Sequence, residues 1–490
     1  MLSSFLLLLL AARAVVGHLQ SCEDLEALFG PALSDEAEFF YPSWDNWTEN
    51  VQQRWTNYLA PSYIGAIKPS TVADVQNIVR IATQNNISFL ATGAGHGVSA
   101  GFANLHDGID IDLSNFRYAK LDETGYRLTI GGATKFLEIW DVLYAAGKEV
   151  QTGAAACVGS IGATLGAGIG PLQGHRGLMI DALESVKLVT ATGDLVTASK
   201  TENPDLFWGI RGAGWNFGIV VEATYQVFDA TNNGQVLEGD MAFPASMNQS
   251  IWENLRALDD TLPDILSLTL ILAYNAATDQ STITINFIYY GPEAEAQQYL
   301  QPFYDLQPTR ANFTVVPWNL LYTTLYFGAD SIACKDNNHL FNGGAGVTHI
   351  DVDAFTEYTT RFTEFWRQNP GVTPAVVFSR FPNQAVRAVP DEETAYPYRN
   401  ISTHIYFEDV LQDDPKWEKV VYDFLVESRD HFTKTSGFEH LTLYNNYAQG
   451  DEGPEIWYTP KKLPKLVELK RRWDPNEVFS FYNPVPVNWP

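Results

Sequence analysis

The sequence predicts an α+β protein of two lobes, and three observations support this. The chain has 490 residues, more than one ordinary domain holds, and 46% of them are hydrophobic, enough for a sizeable core. Between about residues 58 and 230, short strand-like runs alternate with helical patterns and with three glycine clusters. From about residue 235 the glycine clusters end, and longer strand-like runs alternate with helical stretches, which is typical of an antiparallel sheet covered by helices on one face.

The elements of the first lobe follow from local patterns. Residues 63–67 predict a short strand that ends before Pro69. Thr71 and Asp74 have the spacing of a capping box, so we expect a helix to begin there. A strand over 87–90 leads directly into the first glycine cluster, and the lobe continues with an amphipathic helix over 135–146 and a hairpin over 184–199.

The second lobe is predicted from its longer apolar runs. Strands are expected over 267–274, 281–290, 375–381 and 403–407, with helices over 293–306 and 353–368. We therefore predict an irregular lead-in over 18–57 and a first lobe over 58–230. The second lobe, 231–440, offers a wall for a substrate, and the C-terminal segment, 441–490, returns to the first lobe.

The charge balance excludes some classes of partner. The chain has 31 Lys and Arg against 58 Asp and Glu, a formal net charge of −27. Nucleic acids and anionic membranes bind clustered Lys and Arg, so neither is expected as a partner. No metal site is expected, because no zinc-type spacing of Cys and His is present. We expect a monomer that binds a small molecule.

The N-terminal residues predict export. Residues 1–17 contain an apolar run that is too short to span a bilayer and ends in small residues, which is typical of a signal peptide. Five N-x-S/T sequons agree with a secreted or secretory-pathway protein. The candidate glycosylation sites are Asn46, Asn86, Asn248, Asn312 and Asn400.

The three glycine clusters predict a site for one extended anionic ligand. The longest, residues 153–170, reads G-A-A-A-C-V-G-S-I-G-A-T-L-G-A-G-I-G. Glycine at this density is unfavourable inside helices and strands, but it lets backbone N–H groups approach a large ligand closely. The spacing is neither that of a Rossmann turn nor that of a P-loop. The other clusters are T-G-A-G-H-G at 92–97 and G-I-R-G-A-G-W-N-F-G at 209–218.

Several ordered motifs carry a family resemblance. T-G-A-G-H-G followed by I-D-I-D-L-S, the long glycine run with Q-G-H-R-G-L-M-I-D, and N-P-D-L-F-W-G-I-R-G-A-G-W-N-F-G-I-V resemble the FAD-binding domain of berberine-bridge-enzyme-like oxidases. These are flavoproteins of the vanillyl-alcohol-oxidase type. The ending D-P-N-E-V-F-S-F-Y-N-P-V-P-V is similar to that of their secreted fungal members. The resemblance covers nearly the whole mature chain and implies an FAD-binding first lobe and a substrate-binding second lobe.

The resemblance assigns cofactor-binding residues. It implies that His96 forms a covalent bond to the flavin 8α-methyl group, and a neutral imidazole is a competent nucleophile for this. Many relatives attach the flavin also through a cysteine, but the matching residue here is Ala155, with Cys157 two positions later. We expect a flavin attached through His96 only, with Cys157 packed as a small thiol; a shifted attachment to Cys157 is the alternative. The other candidate cofactor contacts are Gly93, Ala94, Gly95, Gly97, Gly159, Ser160, Gly162, Thr164, Gly168, Gly218, Ile219, Tyr482 and Asn483.

The cysteines predict one disulfide. Cys22, Cys157 and Cys334 are the cysteines of the chain, an odd number. Because Cys157 lies inside the glycine run, Cys22 and Cys334 are the expected pair, which would tie the N-terminal segment to the second lobe.

Oxidation of a substrate carbon needs a base, because a hydride leaves more easily as a proton is removed. Residues 443–448, L-Y-N-N-Y-A, resemble the family segment that contributes an active-site tyrosine. Tyr447 is the candidate base, with Tyr444 and Asn446 in support. A tyrosine with a pKa of about 10 needs a neighbouring cation or hydrogen bond to act as a base, and the sequence does not identify one.

The resemblance implies a secreted FAD-dependent oxidase of fungal secondary metabolism. Such an enzyme transfers a hydride from a substrate carbon to flavin N5, and dioxygen reoxidises the flavin, in alcohol oxidation, dehydrogenation or oxidative cyclisation. A carbohydrate oxidase acting on an oligosaccharide is one alternative. A redox-neutral isomerase, cyclase or binding protein on the same fold is the other.

Overall fold

The computed structural model describes residues 22–329, 334–412 and 414–490. The predicted signal peptide, 1–17, lies outside the described residues. The helices are Cys22–Phe29, Trp47–Asn50, Val72–Gln84, Phe136–Ala145, Ser160–Gly166, Gln173–Arg176, Met179–Ala182, Pro204–Ala213, Asn248–Ala257, Glu293–Tyr304, Leu325–Gly328, Val352–Gln368, Gln384–Ala388, Lys416–Thr433 and Pro454–Trp473.

The strands of the first lobe form two main sheets in the described residues. One has the order β1-β2-β4-β3, with β2, β4 and β3 parallel, and the other has the antiparallel order β5-β6-β10-β8-β9, while β7 pairs with β11. The bounds are β1 Glu38–Phe40, β2 Tyr63–Lys68, β3 Phe89–Thr92, β4 Gly108–Asp112, β5 Ala119–Leu121, β6 Arg127–Gly131, β7 Lys148–Glu149, β8 Leu183–Val189, β9 Leu195–Ser199, β10 Ile219–Gln226 and β11 Phe228–Asp229.

The second lobe is built on an antiparallel sheet, which in the described residues has seven strands in the order β15-β12-β14-β13-β17-β18-β16. The α+β prediction is therefore confirmed. The bounds are β12 Gln235–Pro244, β13 Leu266–Asn275, β14 Gln280–Tyr289, β15 Arg310–Pro317, β16 Leu340–Val347, β17 Val372–Arg380 and β18 Thr403–Leu411.

The two faces of this sheet differ in composition. Alternate residues such as Leu237 and Met241 of β12 pack into one apolar core with the long helices Val352–Gln368 and Lys416–Thr433. On the opposite face, Val236 and Ile288 belong to the core of the first lobe. The sheet therefore turns its second face toward the first lobe.

The lead-in differs from the irregular structure expected for 18–57. It begins with the helix Cys22–Phe29, whose Leu25 and Phe29 are buried in the core of the first sheet. Asp74 connects this region to the predicted helix, because its carboxylate accepts hydrogen bonds from the Ser34 amide and hydroxyl at 2.7 Å each. The expected capping box of Thr71 with Asp74 is present.

Candidate functional site

The three glycine clusters meet in the structure. A Cβ atom placed on Gly159 would lie 2.9 Å from the Ala94 Cβ, so the start of the long run touches the first cluster. A Cβ on Gly214 would lie 2.5 Å from Leu165 Cδ2, so the end of the helix Ser160–Gly166 touches the third cluster. Three loops that are separate in sequence thus form the walls of one site.

The first cluster has the properties of an anion cradle. It follows the carboxyl end of β3, and Gly95 takes a left-handed conformation with φ +75°. In the described part of the chain, the amide N–H groups of residues 94–97 donate to no protein acceptor. Consecutive free amides around a left-handed residue bind phosphate oxygens well. This cradle fits the pyrophosphate of a dinucleotide.

His96 lies in this cradle in the state that nucleophilic attack requires. Its ring is half-buried and stacks on Trp55, with 5.4 Å between ring centroids and an interplanar angle of 18°. Burial, with smaller effects from the positive charges of Lys135 and Arg54, lowers the pKa of His96 to about 4. The imidazole is therefore neutral at physiological pH.

The long run contributes an accessible glycine backbone and a hydroxyl group that lacks a hydrogen-bond partner among the described residues. Gly162 is exposed, and a Cβ there would meet no atom within 4 Å. The Ser160 hydroxyl is buried, and it has no hydrogen-bond partner among the described residues. Ala155 is partly accessible at the rim. These residues fit a cofactor that supplies the missing hydrogen bonds.

Four of the expected cofactor contacts have internal roles. The Thr164 hydroxyl donates to Ser160 O at 2.8 Å and lies 2.8 Å from the Tyr225 hydroxyl, so it points into the protein. A Cβ on Gly168 would lie 2.3 Å from Met179 Cβ, and a Cβ on Gly218 would lie 2.6 Å from Val189 O. Ile219 is buried at the start of β10. Close packing inside the first lobe accounts for the side-chain positions of these four residues, and their contact with the cofactor stays a prediction.

The disulfide joins Cys157 to Cys334, with 5.7 Å between their Cα atoms. The expected Cys22–Cys334 pair is therefore wrong, and so is the expected free thiol at Cys157. The physical reason is backbone pairing between two segments that are distant in sequence: Asn57 N donates to Asn338 O at 2.8 Å, and Asn337 N donates to Arg54 O at 2.8 Å. This pairing holds the segment after Cys334 beside the rim of the glycine run.

The C-terminal segment is hydrogen-bonded to the long glycine run. The Tyr444 hydroxyl donates to Ala163 O at 3.2 Å and accepts from Gly168 N at 3.3 Å. Asn446 Nδ2 donates to Gly162 O at 3.0 Å. Both residues therefore hold the long run in place from the side of the second lobe.

Tyr482 and Asn483 close the other side. The Tyr482 ring lies 4.6 Å from the Trp215 ring, and it would lie 3.5 Å from a Cβ on Gly97. Asn483 is buried, and its Nδ2 donates to Asn445 O at 3.0 Å. Tyr482 therefore lies between the first and third clusters, and the contact of both residues with the cofactor stays a prediction.

Tyr447 lies at the site, but its surroundings oppose the role of a base. Its ring packs on Tyr406 at 4.3 Å and on Tyr444 at 5.0 Å between centroids. Burial first, and then the negative charge of Glu408, raise the pKa of Tyr447 well above its usual value. Because burial and the charge of Glu408 both disfavour the phenolate, this phenol keeps its proton at neutral pH.

Sequence analysis did not identify the polar residues on the second face of the large sheet. His404, Tyr406 and Glu408 alternate along β18, and Asn342 on β16 pairs in register with Glu408. Burial lowers the pKa of His404 to about 3, so its ring is neutral. His404 Nδ1 and Asn342 Nδ2 are buried and have no hydrogen-bond partner among the described residues. The alternation of polar with apolar residues in T-H-I-Y-F-E-D was the available signal.

No described helix combines the length and the apolar character needed to cross a bilayer.

Two family models match the chain. Residues 64–199 match the family model described as FAD binding domain, and residues 443–486 match the model described as Berberine and berberine like. The FAD-linked oxidoreductase azaL of Aspergillus niger is 45% identical over 450 residues, covering 91% of this chain and 95% of that protein. The FAD-linked oxidoreductase tazG of Aspergillus terreus is 44% identical, covering 96% of each chain.

Solved structures share the fold. BBE-like 1 of Physcomitrella patens has a TM-score of 0.82 at 19% identity, covering 95% of this chain and all (100%) of that one. The carbohydrate oxidase of Microdochium nivale has a TM-score of 0.81 at 22% identity, covering 95% and 100%. The chain belongs to the berberine and berberine-like family of FAD-linked oxidoreductases.

Proposed function

We propose that this enzyme is an oxidase that removes a hydride from a carbon of a small hydroxylated aromatic metabolite of a fungus. The observation that carries the proposal is the neutral His96 inside a cradle of free amides. A polar face of the large sheet, on which the Tyr447 ring packs against Tyr406, supports it. Bound FAD supplies the hydride acceptor, and dioxygen returns the flavin to its oxidised form.

We infer that the flavin is attached through His96 alone. Ala155 stands where many relatives have a cysteine, and the disulfide to Cys334 occupies the sulfur of Cys157. The neutral imidazole of His96 supports the single link, because a ring nitrogen with a free lone pair is the nucleophile.

We assign the remaining protein groups to cofactor binding and to substrate binding. The amides of residues 94–97 bind the pyrophosphate, and Ser160 Oγ offers a hydrogen bond to the cofactor. On the substrate side, the protonated Tyr447 and the free donor Asn342 hold substrate oxygens. Binding at these groups orients the substrate carbon toward the first lobe.

The aromatic lining favours a planar substrate. The Tyr447 ring lies 4.3 Å from the Tyr406 ring and 5.0 Å from the Tyr444 ring, and we infer that this aromatic cluster suits an aromatic substrate. The alternative is an oligosaccharide, because carbohydrate oxidases of Microdochium nivale and Myceliophthora thermophila share the fold at 22% identity.

The experiment begins with the absorbance spectrum of the purified enzyme. We expect flavin absorbance bands at about 370 and 450 nm, and we expect the flavin to stay in the protein pellet after acid precipitation. Anaerobic mixing with 4-methoxybenzyl alcohol and with cellobiose then compares the two substrate classes by bleaching of the flavin. Absence of the bands would support the redox-neutral alternative, and bleaching by cellobiose alone would support the carbohydrate oxidase.

We further propose that the enzyme is secreted and glycosylated. Of the five sequon asparagines, Asn46, Asn86, Asn312 and Asn400 are exposed. Asn248 is buried, and its Nδ2 donates to Ala245 O at 2.7 Å, so the expectation of a glycan there is corrected. Peptide mapping of protein from culture medium, before and after N-glycanase treatment, tests the four exposed sites.

A further inference from the structure

Trp55 covers one face of the His96 ring. The two rings are nearly parallel, with an interplanar angle of 18° and 5.4 Å between their centroids. Trp55 is 8% exposed, while the His96 ring is half-buried and stays accessible from the site. The indole therefore forms the protein side of the space in which the imidazole lies.

The stack with Trp55 sets the plane of the His96 ring. In the described part of the chain, no residue forms a hydrogen bond with either ring nitrogen of His96. His175 differs in this respect, because its Nδ1 lies 2.7 Å from Asp264 Oδ2. Aromatic pairs favour definite relative orientations, so the indole can orient His96 while both of its nitrogens remain available.

The main chain of Trp55 is fixed from two sides. Trp55 N donates to Gly95 O at 3.0 Å, directly before His96 in the amide cradle. On the other side, Asn338 N and Asn338 Nδ2 donate to Trp55 O at 2.9 and 3.2 Å. Asn338 follows the cysteine that the disulfide joins to the long glycine run. The place of the indole relative to the cradle is therefore determined by backbone contacts.

The preceding residue acts on the same loop. The Arg54 guanidinium donates to Gly97 O at 2.5 Å and lies over the Phe102 ring, 4.3 Å from its centroid. Gly95 and Gly97, the two neighbours of His96, are thus both bonded to the segment that contains Trp55. Burial first, and then the charges of Lys135 and Arg54, lower the pKa of His96 to about 4, so the oriented ring is also uncharged.

We propose that Trp55 is the positioning residue for covalent attachment of the flavin. Its indole fixes the plane of the imidazole so that a His96 ring nitrogen meets the 8α-methyl carbon, and this inference rests on the proposed link through His96. As the new C–N bond forms, one methyl C–H bond and the imidazole N–H bond break. The two hydrogens and their electrons reduce the flavin, and dioxygen reoxidises it and leaves as hydrogen peroxide. Trp55 itself forms and breaks no bond.

The test follows attachment in time in the full-length protein. Each variant is produced with limiting riboflavin, FAD is added after purification, and acid precipitation at intervals separates attached from released flavin. Trp55→Leu keeps apolar bulk without a ring, and Trp55→Phe keeps a ring. Trp44→Leu is the matched control, because Trp44 is 40% exposed and its ring contacts Tyr41, at 4.9 Å between centroids.

We expect attachment to be about 10-fold slower in Trp55→Leu and close to the wild-type rate in Trp55→Phe and Trp44→Leu. Two further measurements separate positioning from a general loss of structure. The Kd for FAD, measured before attachment by quenching of flavin fluorescence, and the Tm should match the wild type in Trp55→Leu, because the amides of the cradle are unchanged.

Three results would overturn the inference and leave the oxidase function standing. These are a wild-type rate in Trp55→Leu, an equally slow rate in Trp55→Phe, and a weakening of FAD binding in Trp55→Leu as large as its loss of attachment. A wild-type protein that releases its flavin in acid would give a different answer, because the link through His96 would then be wrong together with the role of Trp55.

Discussion

Single residues determine the chemistry at the rim of the glycine clusters. His96 is neutral because burial and two nearby cations disfavour its charged form. Gly95, beside it, has no side chain because the backbone of Gln53 occupies that space: a Cβ would lie 2.3 Å from Gln53 O. The amide cradle therefore depends on a close backbone contact as well as on the left-handed conformation of Gly95.

Gly95→Ala tests this contact. We expect the variant to lose most of its bound flavin, because Ala must move the backbone of Gln53 and so open the cradle. Gly147→Ala is the control: Gly147 has φ +64°, but a Cβ there meets no atom within 4 Å. In this control the only expected loss of stability is that of placing an alanine in the left-handed region, about 1–2 kcal/mol. The ratio of flavin to protein absorbance measures the result, and equal ratios in both variants would contradict the explanation.

At the scale of elements, the site depends on segments that cross between the lobes. The disulfide fixes the segment after Cys334 to the rim of the long glycine run. The C-terminal segment does the same from the opposite side through Tyr444 and Asn446. Both connections join residues far apart in sequence. The disulfide stabilises the fold by restricting the unfolded chain, and the hydrogen bonds of Tyr444 and Asn446 hold the folded glycine run in place.

Removal of the disulfide should lower stability. Cys157→Ser and Cys334→Ser each break a link that spans 177 residues, and we expect a loss of about 2–5 kcal/mol, seen as a lower Tm. The double variant should match the single ones, because either change removes the whole bridge. Cys22→Ser is the control and should keep the wild-type Tm. The reverse pattern, with Cys22→Ser destabilising and Cys157→Ser neutral, would contradict the pairing.

The sequence identified the cofactor lobe better than the substrate wall. Each glycine cluster is recognisable from its local sequence. Because the clusters were expected to bind the same ligand, a contact such as that between Gly159 and Ala94 could be anticipated. His404, Asn342 and Glu408 come together only through the register of β16 and β18, which a single sequence does not reveal. The disulfide was missed for the same reason, because the pairing of Asn57 with Asn338 is visible only in three dimensions.

For the whole molecule, a buried acidic pair links stability to pH. Glu238 and Asp240 on β12 are 0% exposed, and the same Asn286 Nδ2 donates to both, at 2.8 and 2.9 Å. Asp240 also accepts hydrogen bonds from the backbone amides of Tyr326 and Phe327. Burial, followed by the charge of Asp240, raises the pKa of Glu238 to about 8.

The sign of the pH effect follows from this shift. Between the ordinary glutamate pKa of 4.5 and about 8, the folded protein holds a proton on Glu238 that the unfolded chain has lost. Stability therefore falls as pH rises through that window. We expect Glu238→Gln to reduce the fall in Tm between pH 5 and pH 8 by about 2 °C or more, with the exposed Glu123→Gln as control. An unchanged pH dependence in Glu238→Gln would contradict the role of the pair.

The most direct test of the account is the mass of the peptide that contains His96, from enzyme digested after acid precipitation. The account predicts that this peptide carries the mass of one FAD less two hydrogens, and that the Cys157 peptide carries no flavin but is linked to Cys334. In His96→Ala the flavin should be released by acid. An unmodified His96 peptide from a protein that retains its flavin after acid would contradict the account.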